Sequence, residues 1–327
     1  MQVFVVGSFV IACSVKVARL PQAGESLGGS AFLAEPGGKG FNLALAASRL
    51  GVTVDGIFAI GDDVFSPVAV STFAQVGFAS DMLVRRPGST GAGVAFVDPA
   101  GENCLAVCLG ANSALTADDI GGFARRLRRA DLVAATFESP DAPIRAAFAL
   151  AREHGRATLL NPSPVRVIDP SIMANTSILV VNAVEAAALG LGDPSVIADA
   201  KSPTDAIDTL LGDGLELLVV TLGSRGAIAF RPNAPPCHQP AFVVAAVDTV
   251  GAGDAFTAGL IAALLKARPL ADALREAAAC GALTTCQFGA LSSFPIEASL
   301  ERFLAERRAL ERPDGSAFSI NNASRDC

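Results

Sequence analysis

Short runs of β-branched and other apolar residues recur along the chain, each followed by a stretch in which apolar positions return every three or four residues. The first pattern suits a strand buried on both faces, the second an amphipathic helix. It predicts strands over Val3–Gly7, Val54–Ala59, Asp131–Ala134, Thr158–Leu160, Ile178–Val181 and Leu217–Thr221. Helices are predicted between them over Phe41–Leu50, Phe65–Gln75, Ala142–His154, Ala183–Leu189 and Pro203–Leu211. Such alternation predicts an α/β fold, a doubly wound and mostly parallel sheet flanked by helices.

Two stretches break the rhythm. Phe9 to Leu33 and Gly91 to Leu109 read as strands or hairpins, the second carrying the turn Asp98-Pro99-Ala100-Gly101. They predict a small β-sheet lid built from two insertions, about 9–33 and 88–110, on a single domain spanning 1–311. From Arg312-Pro313-Asp314-Gly315 to Cys327 the chain is polar and aperiodic, which predicts a loose tail over 312–327.

Composition sharpens this picture by exclusion. With 51% hydrophobic and 17% charged residues among 327, the chain can bury a large core, so wholesale disorder is excluded. A net charge of −7 and a pI near 4.9 exclude an extended nucleic-acid footprint. The amino end, Met1 to Gly7, reads as a strand rather than a secretory leader. Gly, Pro or charge interrupts later apolar runs before membrane-spanning length, so no membrane partner and a cytoplasmic location are expected. Seven scattered cysteines without a C-x-x-C pair, and only His154 and His238 beside them, argue against a disulfide framework or a Cys/His metal site.

Candidate chemistry sits in two glycine-rich turns. In Val247-Asp248-Thr249-Val250-Gly251-Ala252-Gly253-Asp254-Ala255-Phe256, a Gly-Ala-Gly turn runs into an apolar helix. Backbone N–H groups at such a helix start favour an oligophosphate or developing negative charge. Asp254 at its mouth could take a proton from an attacking alcohol, or could simply be an N-cap, and the motif alone leaves both open. The second turn, Glu35-Pro36-Gly37-Gly38-Lys39-Gly40-Phe41-Asn42, also enters a helix and offers donors from Lys39 and Asn42. It is not a Walker A loop, since Gly follows the Lys, and alone it reads as an ordinary turn.

Together and in this order, the two turns resemble the paired signatures of ribokinase-like (PfkB) kinases. Other segments follow in the same order as in that family: Gly7-Ser8, Ser89-Thr90-Gly91, Gly101-Glu102-Asn103, Gly110-Ala111-Asn112, Glu138-Ser139-Pro140, Asn161-Pro162-Ser163-Pro164, Asn182-Ala183-Val184-Glu185 and Thr221-Leu222-Gly223-Ser224-Arg225-Gly226. The resemblance implies an ATP-dependent phosphotransferase acting on an alcohol of a sugar or sugar-like molecule, with Asp254 as general base and Gly251, Ala252 and Gly253 as anion hole. It implies substrate contacts from Gly38, Lys39, Asn42, Asn103 and Glu138, and a nucleotide site at Asn182, Thr221, Gly223, Gly226 and Gly253. Glu185 would organise Mg²⁺ through water. A K⁺ site is implied at Asp248, Val250, Thr284, Gln287, Gly289 and Ser293, mostly through backbone oxygens. A homodimer through the lid is implied as well.

One segment departs from the family. Where relatives carry Gly-Ser-x-Asn-x-Asp, with the Asp gripping sugar hydroxyls, this chain has Gly7-Ser8-Phe9-Val10-Ile11-Ala12. Removing such a partner from a buried diol costs about 1.5–3 kcal/mol. The apolar run either faces a less polar substrate, which admits a nucleoside, or packs into the lid's own core. A catalytically retired nucleotide- or sugar-binding protein is the other functional class; intact Asp254 and Gly251-Ala252-Gly253 oppose it. A dehydrogenase would need Gly-x-Gly-x-x-Gly after the first strand, and Gly7-Ser8-Phe9-Val10 does not supply it.

Overall fold

The computed structural model describes residues 1–99, 103–193, 196–197, 199 and 201–310. Gly101, Glu102, the 312–327 tail and the side chain of Asn103 lie outside the described residues.

Thirteen strands are described: β1 (Gln2–Gly7), β2 (Val10–Val17), β3 (Gly29–Gly37), β4 (Thr53–Ile60), β5 (Leu83–Arg85), β6 (Gly91–Val97), β7 (Asn103–Cys108), β8 (Leu132–Thr136), β9 (Ala157–Asn161), β10 (Ile178–Asn182), β11 (Leu217–Thr221), β12 (Ala227–Phe230) and β13 (Cys237–Gln239). Nine form one sheet in the order β13-β12-β11-β10-β9-β8-β1-β4-β5. The run from β11 to β5 is parallel, and β12 and β13 are added antiparallel. All six predicted strands are present within two residues of their expected ends.

The first strand explains why the sheet must be covered twice. Val3 and Val5 point into one core, Phe4 and Val6 into the other, and all four are fully buried. Helices Lys39–Arg49, Ser66–Gln75, Ala252–Leu265, Leu270–Thr285 and Glu297–Leu310 contribute to the first core. Helices Ala117–Leu127, Asp141–Glu153, Ala183–Ala188 and Asp205–Gly212 contribute to the second. Phe9, Phe41, Phe58, Phe73 and Phe78 form a chain of edge and stacked ring contacts beneath the end of β1. Truncating the central ring, Phe73, to Ala would cost about 3–5 kcal/mol. Among the described residues no helix is long and apolar enough to cross a membrane.

The two interrupting stretches form a separate four-stranded sheet, β3-β2-β6-β7. Its first stretch runs further than the predicted end at Leu33: β3 continues through Pro36 to Gly37, pairing Val10 with Gly37. Proline is tolerated there because β3 is an edge strand. One buried amide ties this sheet to the body. Asn112 Oδ1 accepts the Phe9 N–H (3.0 Å), while Nδ2 donates to the carbonyls of Phe9 and Leu109 (2.8 Å each). It joins the place where β1 gives way to β2 to the place where β7 returns. Asp63 holds the other crossing, accepting the Thr90 N–H at 2.7 Å and its hydroxyl at 2.8 Å.

Candidate active site

The Gly-Gly-Lys-Gly turn is more than a reversal of direction. Gly38 sits at φ +103°, and a Cβ there would lie 2.9 Å from the Ser8 carbonyl oxygen. A Cβ at Gly40 would lie 2.3 Å from the Gly7 Cα, so only glycine lets the helix start press against the end of β1. At that junction the Phe41 N–H donates to Ser8 O (3.0 Å) and the Gly40 N–H to Ser8 Oγ (3.2 Å). The Ser8 hydroxyl and the Lys39 N–H both donate to Glu138 Oε2, at 2.5 and 2.7 Å. Glu138, just beyond β8, is thus a buried carboxylate held by charge-assisted hydrogen bonds at a helix amino terminus.

One turn into the same helix, Asn42 Nδ2 donates to Asp254 Oδ2 at 2.8 Å. Both side chains are buried. The Asn42 Oδ1 has no hydrogen-bond partner among the described residues. A buried amide oxygen is nearly always bonded, so this one is an acceptor suited to an incoming hydroxyl.

The simple reading of Asp254 as an N-cap does not hold. Gly251, in the left-handed conformation, caps helix Ala252–Leu265, and Asp254 stands two residues inside the first helical one with its carboxylate turned to Asn42. Burial pushes the Asp254 carboxyl up to about 6; Lys39 and the Asn42 hydrogen bond oppose the rise, and the negative charges of Glu138 and Glu185 add to it. A base with that affinity takes a proton near neutral pH and releases it readily. The amides of the Gly251–Gly253 turn open the same helix, where developing negative charge is stabilised.

These groups form the floor of a cavity of about 750 Å³ between the two sheets. Gly38, Lys39, Asn42, Glu138 and Asp254 lie at its base, and Val10, Ala12, Gly93 and Ala95 of the small sheet line its roof. The two readings of the apolar run divide by strand alternation. Phe9 and Ile11 are buried in the core, while Val10 and Ala12 line the cavity.

On one flank, Asp248 accepts the Val250 N–H through Oδ1 and the Gly289 N–H through Oδ2, both at 3.0 Å. Glu35, from β3, accepts the Ala290 N–H at 3.1 Å. Burial raises the Glu35 carboxyl, the Ala290 and Leu291 amides oppose that, and Asp248 adds to it. The Thr284 and Ser293 hydroxyls donate to Cys280 O and Ala290 O, so both residues face a cation, if at all, with backbone or lone-pair oxygen. Among the described residues no group of three or more His, Cys, Asp or Glu gathers as a metal cage. An oxygen-ligated cation fits one carboxylate with neighbouring carbonyls here.

The expected nucleotide positions lie at the carboxyl ends of adjacent parallel strands, where open α/β sheets bind ligands. Asn182 ends β10 and pairs in register with Thr221, which ends β11. Asn182 and Glu185 form a capping box, with Glu185 N–H to Asn182 Oδ1 at 2.8 Å and Asn182 N–H to Glu185 Oε2 at 2.9 Å. The motif thus caps the helix Ala183–Ala188. Gly223 opens a short turn into clear space. Gly226 has a steric reason to be glycine: a Cβ would meet the Gln239 carbonyl oxygen at 2.0 Å.

Sequence reasoning passed over three residues that organise the cavity: Ser8, Glu35 and Asn112. Each lay inside a quoted motif, but their partners stand 130, 255 and 103 positions away, and nothing local signals them.

The chain has known relatives in sequence and in fold. Residues 1–297 match the pfkB family carbohydrate kinases. The chain is 30% identical to a ribokinase of Haemophilus influenzae over 92% of its length and 97% of that protein. It is also 30% identical to a deoxyribokinase of Salmonella typhi, over 93% and 97% of the two chains. Among solved structures, ribokinase from Thermotoga maritima superposes with a TM-score of 0.80 at 27% identity, covering 93% of this chain and 99% of that one. Arabidopsis thaliana ribokinase, complexed with ribose and ATP, superposes with a TM-score of 0.80 at 25% identity, covering 93% and 98%. With a family match over residues 1–297 and relatives at 30% identity covering more than nine-tenths of its length, the chain belongs to the pfkB family of carbohydrate kinases.

Proposed function

We propose that the protein transfers the γ-phosphoryl group of ATP to an alcohol of a sugar or sugar-like molecule held between the two sheets. The observation that carries this reading is Asp254, buried at the cavity floor, bonded to Asn42 and one residue beyond the Gly251–Gly253 turn. Asp254 takes the hydroxyl proton as the substrate oxygen bonds to the γ-phosphorus, and the bond to the bridging oxygen breaks to release ADP. The amides of Gly251, Ala252 and Gly253 stabilise the transferring oxygens. Gly38, Lys39, Asn42 and Glu138, with Asn103, orient the acceptor, and the unpartnered Asn42 Oδ1 supports a hydroxyl donor at that point.

Asn182, Thr221, Gly223, Gly226 and Gly253 line the nucleotide site in this reading. Mg²⁺ would be held by ATP phosphates and waters, with Glu185 as the nearby carboxylate, and would supply charge neutralisation between the phosphates. A monovalent cation, K⁺, would sit among the carbonyls of Val250, Gln287 and Gly289 with Asp248, steadying the anion-hole turn. The 1–311 region acts as one domain whose small sheet closes over the acceptor and excludes water.

We also propose a homodimer through that sheet. The face that buries Phe9 and Ile11 continues past the body as Val15, Phe32, Ala34, Val94 and Phe96, with Phe32 68% and Val94 43% exposed. An apolar face of this kind marks an interaction site.

The activity is tested by ADP release from ATP and Mg²⁺ over a panel of alcohols, with Asp254→Asn and metal removal as blanks. Acceptor-dependent turnover abolished by both is expected. ATP binding without turnover on any alcohol would instead favour a retired binding protein.

A further inference from the structure

The small sheet reaches the active-site helix through one carboxylate. Glu35 stands on the edge strand β3, directly opposite Ala12, and lines the cavity. Its Oε1 accepts the Ala290 N–H at 3.1 Å, and the Leu291 N–H faces the same carboxylate. A Cβ built on Gly289 would lie 3.3 and 3.4 Å from the two Glu35 oxygens, so the backbone of this loop is packed against the whole carboxylate. Lys16 of β2 makes a second contact with the loop, its ammonium 4.2 Å from the centre of the Phe288 ring.

The far side of the loop meets the turn that opens the anion hole. A Cβ built on Gly251 would lie 3.1 Å from the Ala290 Cβ and 3.0 Å from the Phe294 ring. Gly251, at φ +79°, caps helix Ala252–Leu265, and its carbonyl accepts the Ala255 N–H at 2.9 Å. Asp248 ties loop and turn together again, accepting the N–H groups of Gly289 and Val250. Gly251 is thus held by a loop that the small sheet itself grips. A hydrogen bond to a carboxylate is one of the stronger kinds, and close-packed groups transmit a displacement instead of absorbing it.

We propose that Glu35 is a positioning residue for phosphoryl transfer: by holding Ala290 against Gly251, it ties the placement of the Gly251–Gly253 amides to the placement of the small sheet over the cavity. The anion hole is then set from both sides of the acceptor, by the helix that carries it and by the sheet that covers it. This rests on the kinase reading for the identity of the phosphoryl group, whereas the link from Glu35 to Gly251 is measurable without nucleotide.

Hydrogen exchange of the nucleotide-free protein is the first arm. Glu35→Ala should speed exchange of the Val250 and Ala255 amides by about 10-fold or more, although both are bonded elsewhere, to Asp248 and Gly251. Amides of β1 and β8 should keep their protection and report an intact fold. Glu35→Gln, which keeps an acceptor oxygen but loses the charge, should exchange like the parent. The second arm is the affinity for Mg²⁺·ADP with and without fluoroaluminate, a mimic of the transferring phosphoryl group. Fluoroaluminate should tighten binding by about 10-fold or more in the parent and in Glu35→Gln, and by less than about 2-fold in Glu35→Ala, whose affinity for Mg²⁺·ADP alone is unchanged. Faster exchange confined to Gly289–Leu291 in Glu35→Ala would leave Glu35 a local helix cap and overturn the proposal. So would a Glu35→Gln protein as impaired as Glu35→Ala, which would make the charge and not the hydrogen bond the active feature, or a Glu35→Ala protein that keeps the full gain from fluoroaluminate. Failure of the kinase reading looks different: the parent has no affinity for Mg²⁺·ADP in either condition, and the exchange arm alone then decides the link.

Discussion

Replacing Asp254 with Asn should abolish turnover and stabilise the fold at the same time. Between the ordinary carboxyl value of 3.8 and about 6, the buried acid resists ionisation. A native affinity raised above that of the unfolded chain favours the native state at low pH, and the advantage is lost as pH rises through about 6. At pH 7.5 the ionised Asp254 therefore costs about 3 kcal/mol, and at pH 4.5 about 1 kcal/mol. A neutral amide at this position removes that penalty and can still accept from Asn42 Nδ2 through its own oxygen. For a chain of 327 residues, 1 kcal/mol moves Tm by about 1.5 °C. Calorimetry should thus find Asp254→Asn about 4 °C more stable at pH 7.5 and about 1.5 °C more stable at pH 4.5. Turnover in the same preparation should fall at least about 100-fold, the low end for a lost general base. A variant less stable than the parent at pH 7.5, or shifted equally at both pH values, would falsify the account of a carboxyl whose burial opposes its ionisation.

The same group sets the pH profile. Because the base works only when ionised, kcat/KM should rise with pH along a limb with an apparent pKa near 6, reaching about a tenth of its plateau at pH 5; a flat profile from pH 5 to 7 excludes Asp254. Exchanging K⁺ for a large organic cation should lower kcat, and Asp248→Ala should remove the difference between the two salts; equal rates in both salts for the parent protein sink the monovalent site. Sedimentation at micromolar concentration should show a dimer that Phe32→Glu disrupts, whereas a monomeric parent counts against association through the small sheet.

The parallel core of the fold was legible because its strands are buried on both faces and so read as uninterrupted apolar runs. Val3 to Gly7 and Leu217 to Thr221 are such runs, and both are found where expected. The short elements were not legible. Strand β5 is three residues long, β12 and β13 are four and three, and each is defined by its neighbour rather than by any pattern of its own. Helix Leu270–Thr285 is alanine-rich and buries residues around much of its circumference, which erases the periodicity by which a surface helix is recognised. At the site, the glycine turns and Asp254 stood out because their spacing is local. Ser8 and Glu35 gain their meaning from a carboxylate or an amide delivered by distant chain, which no local pattern can foretell. Gly226 shows the reverse case, a motif glycine whose position against Gln239 already accounts for it.

The hydrogen bond between Asn42 and Asp254 spans 212 positions of chain. During synthesis, at about 5–20 residues per second, Asp254 leaves the ribosome roughly 10–40 s after Asn42. Strands β1 and β4 can already have paired by then, because they are close in sequence. Once Glu138 has also emerged, the nascent protein holds the acceptor side of its pocket without the acid proposed to use it. A chain released early, anywhere before residue 254, lacks the base proposed to activate an acceptor, so in the proposed mechanism phosphoryl transfer begins only once translation has passed helix Ala252–Leu265.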